Sequence, residues 1–193
     1  MSPPVDAAID GCIPRNFPAT GQTSCWNSSG TLIACAGTGQ DGEIRAGAAL
    51  SYTDNGDGTI TDNNTGLMWA KKSDDGSIHD KDNSYTRANA FAVHVAGLNT
   101  LNGGTGFAGH TDWRLPNVKE LQSIVNYQNV SPAVSSAFND CGNGSCTAAD
   151  PYWSSTSFAV DPTNAWFVNF VGGHVIEDSK DHTFRVRAVR GGL

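Results

Sequence analysis

The sequence predicts an α+β fold. Three observations carry this: short alternating segments joined by Gly/Asn/Asp turns follow residue 50, two capped segments with helical spacing come next, and short strands return after Pro151. Helices set to one side of an antiparallel sheet satisfy that order. With 22 glycines and only 16% charged residues, turns and uncharged polar side chains take up much of the chain.

Residues 1–50 read as an irregular leader in which Pro, Gly, Ser and Thr abound and the one strand-like stretch is 31–35. The compact domain is expected over 51–193. Within it, Asp54-Asn55-Gly56-Asp57-Gly58 is turn chemistry, 59–62 alternates as a strand, Asn63-Asn64-Thr65-Gly66 turns again, and 67–70 returns to close a β-hairpin. Ala90, Phe91, His94, Val95 and Leu98 then recur at helical spacing behind Thr86, a plausible N-cap, which predicts a helix over 87–99. Asn117 followed three residues on by Glu120 resembles a capping box; with the stripe Val118, Leu121, Ile124 and Val125 it predicts a second helix over 118–127. The last third reads as an antiparallel sheet with strands at 152–155, 165–170, 174–176 and 184–189.

At 193 residues the chain is long enough for one real core and too short for two large domains. Nineteen Asp+Glu against twelve Lys+Arg give a net charge of −7, and no basic cluster offsets it, which argues against a nucleic-acid partner. No apolar run reaches the ~18–20 residues of a membrane span, and the first residues lack the basic and apolar regions of a signal peptide. The chain reads as soluble, with an export signal trimmed off.

The cysteines at 12, 25, 35, 141 and 146 lack zinc spacing. Cys25 and Cys35 flank a turn-centred hairpin, and Cys141 and Cys146 flank a Gly/Asn/Ser loop. Two short disulfide loops are favoured over idle thiols, with Cys12 left over, and an oxidising compartment follows, secreted or at the cell surface.

Signatures of catalysis are missing: there is no GxSxG, HExxH, phosphate loop or dinucleotide-binding glycine motif. The expectation is a protein that is not an enzyme and needs no cofactor. Calcium is the one ion considered, through Asp54, Asp57 and Asp62, but the match to an EF-hand loop is incomplete and a hairpin turn is the simpler reading. Asp74, Asp75, Asp80 and Asp82 share one loop and read as a solvated face.

Four ordered motifs carry a resemblance. They are Asp54 to Asp62 leading into Thr65-Gly66-Leu67-Met68-Trp69; Asp112-Trp113-Arg114-Leu115-Pro116 with Lys119-Glu120-Leu121; Tyr152-Trp153-Ser154-Ser155-Thr156; and Val186-Arg187-Ala188-Val189-Arg190-Gly191-Gly192. Together they resemble the C-terminal domain of the Legionella collagen-like adhesin over about residues 51–192. Thr20-Gly21-Gln22-Thr23 and Gly39-Gln40-Asp41-Gly42-Glu43 look like the leader that often precedes it. The resemblance implies a C-type-lectin-like fold in which the terminal strands pair and the remaining sheet displays a binding surface. Its C-terminal placement is also similar to the hypervariable surfaces of diversity-generating-retroelement proteins.

Within the motifs, Trp69, Trp113 and Trp153 are expected to bury aromatic area, and Arg114 and Arg187 to pair with carboxylates such as Asp112 or Glu120. Binding is therefore expected between scaffold positions, at Phe158, Val160, Asp161, Asn164, Trp166, Val168, His174, Ile176, Glu177, His182 and Arg185. If Phe167, Phe170 and Val175 point inward, alternation turns Trp166, Val168, His174 and Ile176 outward. The partner is then a glycan or a protein, with no membrane insertion and an open oligomeric state. A redox enzyme of the formylglycine-generating type, using Cys141 and Cys146, and an oligomerising cap of a surface protein are the alternatives.

Overall fold

The computed structural model describes residues 17–140 and 146–192. It shows an α+β fold with three antiparallel sheets. A two-stranded hairpin pairs β1 (Cys25–Trp26) with β2 (Leu32–Ile33). A four-stranded sheet has the order β3 (Tyr52–Asp54), β4 (Thr59–Asp62), β5 (Met68–Ala70) and β9 (Val189–Arg190). The third sheet runs β6 (Pro151–Ser157), β7 (Asn164–Asn169), β8 (His174–Ser179).

The turns of the four-stranded sheet form where their residues demand it. Asp54 and Asp57 accept hydrogen bonds from the Gly56 and Thr59 backbone N–H groups, each at 3.0 Å, and Gly56 and Gly58 take φ values of 77° and 92° that side chains resist. In the next turn, Asp62 accepts from Asn64 N at 2.9 Å and from the Thr65 hydroxyl at 2.8 Å. β9 departs from the expected single C-terminal sheet. Of the segment 184–189, Phe184 makes an isolated bridge to Tyr85 and Arg185 one to Tyr152, after which β9 crosses to pair with β5. β9 thereby completes the four-stranded sheet.

The first predicted helix is longer than expected and irregular. It comprises α2 (Arg87–Asn89), a π-helical stretch Ala90–Val95, and α3 (Ala96–Gly104), which breaks at Leu101–Gly103. Thr86 caps it, accepting from Asn89 N. Ala90, His94 and Leu98 are fully buried, but Phe91 is 40% exposed and stacks under Arg87. The wider π turn keeps a spacing of four on the inner row and rotates Phe91 off it. The second helix, α4 (Val118–Ser123), starts as expected: Asn117 accepts from Glu120 N at 2.9 Å while Glu120 accepts from Asn117 N at 2.8 Å. It stops short of residue 127 because Val125 leaves to pair with Val134.

Trp69, Trp113 and Trp153 are all buried, each in a different core cluster. Burial of such rings supplies on the order of 2–3 kcal/mol apiece. Residues 17–50 are docked rather than loose. The Cys25–Cys35 disulfide closes the β1–β2 hairpin, a short helix α1 (Asp41–Ile44) follows, and Gln128 accepts from the backbone N–H groups of Thr23 and Ser24 at 2.7 and 3.0 Å. Cys146 is disulfide-bonded; its expected pairing with Cys141 lies outside the described residues, as does Cys12.

Candidate functional site

The register of β7 against β8 decides which side chains share a surface. Trp166 lies opposite Glu177 and Val168 opposite Val175, so Asn164, Trp166, Val168, Val175 and Glu177 belong to one face. Ala165, Phe167 and Asn169 share the other with His174, Ile176 and Asp178. β7 is the central strand, and both of its faces are covered. Val168 packs with Tyr152 and Phe170 in one cluster, while Ala165 and Phe167 pack with Trp153 in another. Val168 is therefore fully buried, correcting its expected outward orientation. Alternation holds along β7, but the face of Val168 is covered there, and the register puts His174 and Ile176, expected beside Trp166, on the opposite face with Phe167, while Val175, expected beside Phe167, joins Trp166.

The start of β7 opens to solvent, and the expected residues Phe158, Asn164 and Trp166 meet there. Trp166 and Phe158 are half-buried and contact edge to face, with centroids 5.3 Å apart and planes at 88°. Beside them the Asn164 side-chain amide donates to a Glu177 carboxylate oxygen at 2.9 Å. The platform is held from behind: the Ser154 hydroxyl donates to the Trp166 carbonyl at 2.6 Å, and Thr156 accepts from Val118 N at 3.1 Å, tying β6 to α4. The loop between β6 and β7 is pinned by Asp161, which accepts from Thr163 N and its hydroxyl. Those bonds hold the exposed Asp161 carboxyl below the usual range. Val160 stands 85% exposed at the tip.

On the second face, His174 is exposed, Ile176 is 47% exposed, and His182 Nδ1 lies 3.0 Å from an Asp178 carboxylate oxygen. Burial raises the Asp178 carboxyl, but His182 and the Ser179 N–H outweigh it and the net direction is down. Arg185 belongs to neither face. It bonds Asp150 at 3.0 Å and the Asp82 carbonyl, which ties the end of the C-terminal sheet to the acidic loop.

The carboxylates considered for calcium are spoken for. Asp54 pairs with Lys71, while Asp57 and Asp62 are consumed by their turns. Asp74, Asp80 and Asp82 bring oxygens within 4.8 Å of one another. Lys81 already bridges Asp74 and Asp82 at 3.2 and 3.0 Å. Asp80 is not part of a solvated face, as expected above: it is buried and accepts from the N–H groups of Asp75, Gly76 and Asp82. Arg187, expected to pair with a carboxylate, is also buried. It donates to the Ala70 carbonyl at 3.1 Å and the Thr147 hydroxyl at 2.7 Å and lies 5.2 Å over the Phe138 ring, and burial lowers its pKa to about 10.

Sequence reasoning missed the docking of residues 17–24 onto 126–128, since nothing local to either segment signals the other. With this geometry in place, comparison with known proteins gives one family match: the Lcl C-terminal domain, over residues 58–190. No curated protein matches the chain.

Proposed function

The chain belongs to the Lcl C-terminal domain family, and from that premise we propose that it is a non-catalytic, lectin-like module that binds a glycan at the open start of β7. The family indicates a surface adhesin-like C-terminal domain, and together with the Cys25–Cys35 disulfide it marks an extracellular protein. Among the described residues no helix is long and apolar enough to cross a membrane.

One observation carries the glycan reading: the Phe158–Trp166 pair stands beside the Asn164–Glu177 hydrogen bond. An aromatic ring offers a surface for the C–H face of a sugar. The remaining acceptor oxygens of Asn164 and Glu177 suit hydroxyl donors. The scaffold beneath is rigid, so little ordering cost opposes binding.

A glycan array probed with the native chain, Trp166→Ala and Glu177→Gln tests this. A hit that both variants lose, with melting behaviour unchanged, is the expected result. A hit that both variants keep sinks the placement, and silence across the array sinks the glycan reading.

A further inference from the structure

A concavity opens between α4 and the segment 17–20, and none of its lining residues lies on β7 or β8. It measures about 310 Å³, within the range of small-ligand pockets. Pro18 and Ala19 line one side and Val125 and Tyr127 the other, with Lys119 and Gln122 contributed by α4. The walls are braced from outside the cleft. Ala19 N donates to the Ala48 carbonyl and Tyr127 N to the Thr20 carbonyl, both at 2.8 Å. The Tyr127 hydroxyl donates to the Gly173 carbonyl and accepts from the Gln122 amide, both at 3.2 Å.

Those bonds commit the polar groups of Tyr127 and Gln122 to the protein itself. Lys119 is different: it is exposed, and its ammonium makes no ion pair or hydrogen bond among the described residues. Among the described residues no acid lines the cleft either, although the chain carries 19 Asp+Glu against 12 Lys+Arg. An apolar cleft with one uncommitted cation and no carboxylate complements a ligand with an apolar body and an anionic head.

The geometry points to a binding site for a small amphiphilic anion, an aryl or short alkyl acid whose body lies against Ala19, Val125 and Tyr127 and whose charge meets Lys119. Occupancy would couple residues 17–20 to α4, because both contribute to the same cleft.

Anilinonaphthalenesulfonate, an anionic aromatic dye, is the probe, titrated into the full chain and followed by fluorescence, with phenylbutyrate as a carboxylate competitor. The expected result is saturable binding at one site, displaced by phenylbutyrate, weakened about tenfold by Lys119→Glu, retained by Lys119→Arg and abolished by Ala19→Trp, which fills the cleft. Uncharged N-phenylnaphthylamine should bind without sensitivity to Lys119→Glu. Absence of saturable binding overturns the proposal, as does binding indifferent to Lys119→Glu. Since Lys119 is exposed, its variants decide the matter even if Ala19→Trp fails to fold.

Discussion

Arg114 holds Glu120 through both of its terminal nitrogens, Nη1 to Oε2 at 2.8 Å and Nη2 to Oε1 at 2.7 Å. The same guanidinium donates to the Gly191 carbonyl at 2.8 Å, and Glu120 also accepts from Asn117 N. One ion pair therefore joins the start of α4 to the C-terminal end of the chain, which lies beside β5 through β9.

Arg114→Ala should destabilise the domain by about 2 kcal/mol, because a half-buried carboxylate loses its counter-charge and a carbonyl its donor. Urea unfolding of Arg114→Ala, Glu120→Gln and the double variant checks it. The two costs should be clearly non-additive, and simple additivity would contradict the pairing.

Stability should fall on mild acidification because of His94. It is fully buried; burial first, and then the Lys72 charge, push its pKa from 6.5 down to about 3. A base depressed in the folded state takes up its proton in the unfolded chain first. Its contribution is complete above pH 6.5 and is lost as the pH falls from there through about 3, at up to about 1.4 kcal/mol per pH unit. His79, also lowered mainly by burial, acts in the same direction. Urea midpoints between about pH 6.5 and 5 should decline for the native chain and flatten for His94→Leu; equal slopes would assign the effect elsewhere.

The Cys25–Cys35 bridge should matter locally. β1 and β2 have two residues each, too few to hold a hairpin alone. Cys35→Ala, which leaves the Cys146 disulfide in place, should open residues 25–35 to proteolysis while the melting of the remaining core changes little. A concerted loss of the whole fold in Cys35→Ala would show that the hairpin is part of the main cooperative unit.

Gln128→Ala should release the segment around Thr23 and Ser24, since one side chain supplies the acceptor for both backbone N–H groups. Hydrogen exchange at those two amides should accelerate by about tenfold or more, consistent with the loss of ~1.5 kcal/mol or more of hydrogen bonding. Unchanged protection would place the anchor in the neighbouring Tyr127–Thr20 contact instead.

Much of the scaffold was legible because its signals are local. The Asp/Asn/Gly turns around Asp54 and Asp62, the Thr86 cap, the Asn117–Glu120 capping box and strands β4 to β8 each depend on residues within a few positions and form where those residues stand, whereas β3 takes in Asp54, which local chemistry assigns to the turn. The convergence of Phe158, Asn164 and Trp166 follows from a short loop and the two-residue period of a strand.

The α+β class, the principal turns, the helix starts, the Cys25–Cys35 pairing and the family thus follow from residue patterns along the chain. The burial of Val168, the interior placement of Asp80 and Arg187, and the cleft between residues 17–20 and α4 come from packing between segments far apart in the chain, as does the pairing of β9 with β5 that the family resemblance implied. The physical reason is the same in each case. Whether a side chain meets water depends on what covers it, and for β7, Asp80 and the cleft the covering elements lie far away in the chain, where no local pattern records them.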